Sequence, residues 1–255
     1  MALTLTPLTG LPLISPGDDL AALVLQALDR AQLTLIDGDI VILAQKIVSK
    51  AEGCLVDLTQ VTPSSRALEL AERTAKDPRL VEVILSESRQ VIRTRPGVIV
   101  VEHRLGFICA SAGVDHSNVQ RDTGRPEDWV LLLPADPDAS ASALRQRLEA
   151  VSGAHLGVLV IDSHGRAWRM GTVGLTIGIS GLPGLVDMRG WADLFDFHLQ
   201  ITQVGVADEL AAAASLVMGQ AAEGTPAVHA RGFPYPLREA SLGELIRPRD
   251  QDLFR

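Results

Sequence analysis

Two short stretches and one pair of lysines hold the side chains able to do chemistry. In GFICASAGVDHSNV, residues 106–119, Asp115, Ser117 and Asn118 put three oxygen-bearing side chains into four positions. They follow Phe107, Ile108 and Cys109, which read as the end of a buried strand, and a run of small residues. Gly113 in that run admits dihedrals closed to other residues, and small side chains let a ligand approach the backbone. An acid and an amide in that place suit a cation or a phosphate group. An Asx turn closing the strand is the plainer alternative. A similar arrangement recurs at Asp162-Ser163-His164-Gly165, after the apolar run Leu156 to Ile161. Two carboxylates at strand ends can share one divalent cation, because magnesium takes only one or two protein carboxylates and fills its shell with water and phosphate oxygens. Of 23 basic residues only three are lysine, and two of these, Lys46 and Lys50, fall within QKIVSK. Lys50 is the candidate to neutralise phosphate oxygens.

Other chemistries find less support. There is no GxxxxGK[ST], no GxGxxG after a strand, and no CxxC or HExxH. Cys109 beside His116 reads as a core cysteine next to a loop histidine rather than a nucleophile pair. His164 reads equally well as a proton carrier or a loop histidine. A net charge of −8 argues against nucleic acid or an anionic membrane as the main partner. The two cysteines lie in apolar runs, which fits free thiols in a reducing cytoplasm. No signal peptide and no apolar run of membrane-spanning length is apparent, so a cytoplasmic location is expected.

The elements that must position these residues can be read in order. Ser15-Pro16 is expected to open a helix whose face is Leu20, Leu23, Val24, Ala27 and Leu28. Ile40 to Ala44 reads as a strand buried on both faces, leaving Lys46, Ser49 and Lys50 exposed beyond its end. Leu55 to Leu58 is a further strand. Helices follow Thr62-Pro63-Ser64 and Asp77-Pro78, and Pro96-Gly97 turns a hairpin. Residues 119–128 read as a surface loop, Val130 to Leu133 as a strand, and Asp136-Pro137-Asp138 as the start of a helix ending near Gly153. Gly165, Gly171, Gly174, Gly178, Gly181 and Gly184 imply close backbone packing or ligand approach. Ala207 to Met218 is a helix with acids in its first turn, and a short helical piece is expected around Leu242 to Ile246. The 255 residues show no linker composition, so one α+β domain is expected, with two subdomains as a variant.

The blocks GDIVILAQKIVSKAEG, GFICASAGVDHSNV, LLPADPDASASALR, VLVIDSHGRAWRMGTVGLTIGISGL and ADELAAAASLVMGQAAEGTP, in that order, resemble the coenzyme F420:L-glutamate ligase family, the gamma-glutamyl ligases of deazaflavin coenzyme biosynthesis. The likeness runs from Leu11 to the closing DLFR. It is to the form without an additional nitroreductase-like domain.

The resemblance implies a set of sites. GTP is held through Leu11, Pro12, Leu13 and Ile14, through Gln45, Lys50 and Asn118, and along Met218, Gly219, Gln220, Ala221, Ala222, Glu223, Gly224 and Thr225. One divalent cation, magnesium or manganese, belongs to Asp115 and Asp162, and a second to Ser163 and Gln220. A monovalent potassium ion and a homodimer are implied as well. Asp196-Phe197 stands where a glycine-containing turn is expected, and Gln45 where some members have a serine. The implied reaction phosphorylates the lactyl carboxylate of the F420 precursor with GTP, and the amine of L-glutamate attacks the acyl phosphate, with further glutamates added by gamma-linkage. A metal-dependent phosphohydrolase and a non-catalytic GTP-binding protein are the readings from other classes. Independently of the family, the strand edges of the Pro96-Gly97 hairpin offer a dimer contact.

Overall fold

A computed structural model describes residues 2–119 and 125–253. The first half comprises β1 (Thr4–Pro7), α1 (Leu20–Arg30), β2 (Ile40–Ala44), α2 (Gln45–Ala51), β3 (Leu55–Asp57), α3 (Ser65–Thr74) and α4 (Pro78–Ser86). Then come β4 (Ser88–Arg95), β5 (Val98–His103), β6 (Ile108–Ala110), β7 (Trp129–Leu131) and α5 (Pro137–Ser152). The chain continues with β8 (Gly157–Arg166), β9 (Arg169–Ser180), β10 (Val186–Asp187), β11 (Gln203–Val204), α6 (Val206–Met218) and β12 (Ala227–Arg231). This is an α+β fold.

A mixed five-stranded sheet, ordered β1-β12-β2-β8-β9, carries the structure. Its single parallel pair is β2 with β8; the other neighbours are antiparallel. β2 shows why both of its faces are apolar. Side chains alternate across a strand, so Val41 and Leu43 join a core with residues of α1 and α5, while Ile40 and Ile42 join a second core with α6. Two further apolar clusters lie among α3, α4 and the sheet β4-β5-β6, and around Leu58, Val83 and Val130.

Several elements follow directly from local signals. Ser64, Asp77 and Asp136 cap α3, α4 and α5 through side-chain oxygens, and Gly153 ends α5 in the left-handed region. The Pro96-Gly97 hairpin is β4–β5, and the short helical piece at Leu242–Glu244 is a 3-10 turn.

Elsewhere the fold departs from expectation. α1 is capped by Asp19, not Ser15. Ser15 instead begins a turn in which its amide donates to Asp18 Oδ2 at 2.7 Å, and Gly17, at φ +88°, cannot continue a helix. Residues 45–51 are helical, and Ser49 is fully buried, donating its hydroxyl to Gln45 Oε1 at 2.7 Å. β8 does not stop at Ile161 but runs to Arg166, because the glycine-rich segment pairs with it as β9. Interior glycines weaken the strand signal, which hides β9 in the sequence. Of the expected loop at 119–128, residues 120–124 lie outside the described residues, as do 254 and 255 of the closing DLFR; Pro126–Asp128 is a 3-10 turn.

The glycine series is largely packing. A Cβ on Gly174 would lie 2.6 Å from the Ala211 carbonyl oxygen and overlap the Ser215 side chain, so only glycine lets α6 press onto β9 there. Gly178 makes the same allowance for Pro137 at the start of α5. Gly165 and Gly171 have open space around them. Among the described residues, no helix is long and apolar enough to cross a membrane.

Candidate active site

A cavity of about 840 Å³ opens at the end of β2, beside residues 161–163 in the middle of β8, and collects segments from across the chain. Its walls include residues 11–14, Gln45, Lys46 and Lys50 of α2, Asn118, Asp162 and Ser163 of β8, and residues 218–225 from the last residue of α6 onward. Every residue that the family resemblance implies for GTP therefore faces one space. Asp115 stands at its edge, joined to it through Lys46.

α2 supplies two features that await a partner. The Lys50 ammonium makes no hydrogen bond or ion pair with the described residues. Its pKa lies below the ordinary lysine value, first because it is half-buried and second because Lys46 is close. Gln45 is 1% exposed, and its Nε2 has no hydrogen-bond partner among the described residues. A buried unpaired donor is costly, and here it borders a cavity beside a bare ammonium. Both features suit an anionic, acceptor-rich ligand.

The carboxylates sit differently from one another. Asp162 lies within β8, paired in register with Leu175, not beyond the strand end. Its Oδ2 is 3.0 Å from His164 Nε2, and His164 is 7% exposed within the strand. His164 is thus a buried partner of Asp162 and not a loop histidine. Phe107 packs against the ring of His164 at 5.2 Å and stacks on His103 at 5.1 Å.

Asp115 does form the Asx turn, accepting from the Ser117 amide at 2.7 Å through Oδ1. The same carboxylate also pairs through Oδ2 with Lys46 Nζ at 2.7 Å. Burial pushes the Asp115 carboxyl up, but Lys46 and the Ser117 amide outweigh it and hold the pKa below the ordinary value. The lysine on the carboxylate is Lys46; Lys50 is one helical turn further on.

The second oxygen cluster is built by α6. Ser163 donates its hydroxyl to Gln220 Oε1 at 2.8 Å, and Gln220 Nε2 donates to Ser215 Oγ at 2.9 Å. Gly174 is what allows Ser215 to approach so closely. The loop after α6 is fastened as well: the Thr225 hydroxyl donates to the Met218 carbonyl at 2.8 Å, and the Ala221 amide donates to Glu223 at 2.8 Å. Gly219, at φ +75°, lies under the Glu223 side chain with no room for a Cβ.

The donor set fits hard divalent cations. It offers two carboxylates, a hydroxyl and an amide oxygen, with an ammonium already seated on one carboxylate as a cation would be. No group of three or more His, Cys, Asp or Glu side chains able to hold a metal occurs among the described residues, so phosphate oxygens and water would have to complete any shell. Cysteine chemistry is disfavoured: burial, and then the Asp162 charge, push the Cys109 thiol up to about 12. Both cysteines are free.

Sequence reasoning passed over Lys46 as the partner of Asp115, and Ser215 as the support for Gln220. The scarcity of lysine already marked Lys46; nothing local marked Ser215.

Comparison with known proteins gives the same direction throughout. The profile of the F420-0:Gamma-glutamyl ligase family matches residues 10–232. A protein named coenzyme F420:L-glutamate ligase from Methanothermobacter thermautotrophicus is 48% identical over 257 residues, covering all of both chains. Proteins of the same name from Methanopyrus kandleri and Methanocaldococcus jannaschii are 46% and 42% identical, covering 95% and 88% of this chain and 93% and 88% of their own.

Proposed function

The chain belongs to the F420-0:gamma-glutamyl ligase family, and on that premise we propose that it uses GTP to join L-glutamate to the lactyl carboxylate of the F420 precursor, releasing GDP and phosphate. The observation that carries this reading is the cavity wall, where the Lys50 ammonium has no partner among the described residues and the buried Gln45 amide nitrogen has no hydrogen bond among them. A triphosphate supplies what both lack.

In this mechanism Lys50 binds phosphate oxygens of the nucleotide and offsets charge as the γ-phosphoryl group is transferred. Asp115 and Asp162 would hold one divalent cation, and Ser163 with Gln220 a second. Such cations neutralise phosphate oxygens and align the attacking and leaving groups. His164 fixes Oδ2 of Asp162, and Asp162 itself lines the cavity. Residues 11–14 and the fastened loop 218–225 border the nucleotide and exclude water from the acyl phosphate, which glutamate then attacks through its amine. No covalent enzyme intermediate is required, consistent with a buried Cys109 thiol.

Mass spectrometry of the product formed from precursor, GTP and glutamate tests the proposal. Added masses in whole glutamyl increments, with matching GDP, are expected. GDP release that is indifferent to glutamate would replace the ligase with a phosphohydrolase. Binding of GTP without phosphate release would leave a nucleotide-binding protein.

A homodimer is part of the same proposal. Two features suit a second copy: β4 of the Pro96-Gly97 hairpin is an edge strand of its sheet, and Trp191, Leu194, Phe195, Phe197 and Ile201, between β10 and β11, are each exposed.

A further inference from the structure

We propose that Lys46 is a built-in substitute for a divalent cation, holding Asp115 in the unliganded protein and released toward the anionic substrate when a cation takes its place. The inference rests on the cation site proposed above and assigns a role to a residue outside it. Lys46 Nζ lies 2.7 Å from Asp115 Oδ2 and 2.5 Å from Ser117 Oγ.

The carboxylate is the fixed partner of this pair. Its other oxygen is tied to the Ser117 amide, and its own backbone exchanges two hydrogen bonds with Leu131, at 3.0 and 2.9 Å. The lysine is the adaptable partner, a compact charge on a four-carbon stem.

A hard cation bound to Asp115 Oδ2 would approach it at about 2.0–2.6 Å, and the ammonium, 2.7 Å from that same oxygen, would then face a divalent charge of its own sign. That repulsion moves Lys46 off Oδ2. Once displaced, the Lys46 ammonium has the cavity to enter, since Lys46 already lines it. There it meets Lys50, i+4 on the same helix, whose ammonium it repels. An anion is what makes two ammonium groups compatible in that space. Cation binding at Asp115 therefore delivers a second positive charge to the phosphate or carboxylate of the substrate, and the two binding events favour one another by the same factor in each direction.

Manganese(II) binding by the full chain, followed by electron paramagnetic resonance with and without GTP, tests this. Lys46→Met keeps the stem and removes the charge. Manganese(II) alone should bind this variant more tightly than the wild type, by about fivefold, the upper range for breaking a partly exposed ion pair. The gain in manganese affinity produced by GTP should shrink, and glutamate-dependent turnover should fall. Tighter metal binding with slower turnover is a pairing that a merely structural lysine would not give. Ser117→Ala, which removes only one of the ammonium's two partners, should shift manganese affinity in the same direction by a smaller factor. It keeps the question open to measurement if Lys46→Met fails to fold. Manganese affinity unchanged or weakened in both variants would overturn the role of Lys46 while leaving the cation site intact. Failure of the wild type to bind manganese, even with GTP, would remove the site and this inference together.

Discussion

Replacing Lys50 by methionine separates the cost of this residue to the fold from its use to the site. The ammonium is half-buried, unpaired among the described residues and close to Lys46, and its pKa is lowered first by burial and then by that neighbour. A lysine whose folded pKa lies below its unfolded value of 10.5 destabilises the fold at neutral pH. The penalty is fully present below the folded pKa and disappears as pH rises past the unfolded one. Lys50→Met should therefore leave the melting temperature unchanged or raise it. In a domain of this size each 1 kcal/mol of relief appears as about 2–4 °C. Nucleotide binding should move the other way. Loss of one charge-assisted hydrogen bond to phosphate costs about 1.5–3 kcal/mol, which is about 10- to 160-fold in dissociation constant. Calorimetric titration of a non-hydrolysable GTP analogue with magnesium, beside thermal unfolding of both proteins, measures the two effects. A melting temperature lowered by several degrees with analogue affinity unchanged would refute the reasoning and make Lys50 a structural residue.

Asp115→Asn and Asp162→Asn should each weaken the metal dependence of glutamate-dependent GDP release, and the double variant should lose less than the sum because one ion is already weakly held; full activity at normal metal levels in either single variant would return these residues to strand and turn formation. Gly174→Ala should lower stability by about 1–3 kcal/mol by forcing α6 off β9, and should impair turnover too, since Ser215 and Gln220 move with the helix; urea unfolding and steady-state rates report both. His103 is buried and its pKa is lowered to about 4, first by burial and then by Arg104, His164 and Arg89. The unfolded chain takes up a proton near pH 6.5 that the folded one refuses until about pH 4, so stability should fall by about 3 kcal/mol across that window and level off below it. His103→Gln should flatten the slope between pH 7 and 5 in urea titrations. Phe195→Asp should convert a dimeric mass by light scattering into a monomeric one while leaving the far-ultraviolet spectrum unchanged; a wild type that is monomeric at micromolar concentration would dispose of the assembly.

What the residues determined alone was local or patterned. Ser64, Asp77 and Asp136 begin their helices because each side-chain oxygen caps amides only two or three residues away, a contact that needs nothing else in the chain. β2 was legible because its unbroken apolar run can only be buried on both faces. The family was legible because five long blocks keep their order. Tertiary structure decided the rest. β9 is a strand because β8 supplies its hydrogen bonds, against the weak propensity of its glycines, and this puts Asp162 inside the sheet rather than at a turn. Ser15 loses its cap role to Asp19 because Gly17 takes a dihedral no helix allows. The spacing of Lys46 and Lys50 places both on one helix face, but which of them meets a carboxylate depends on Asp115, from a segment some seventy positions away. Ser163 and Gln220 meet only because Gly174 lets α6 settle on the sheet. Contacts of that range are fixed by how whole elements pack, and no window of sequence contains both partners.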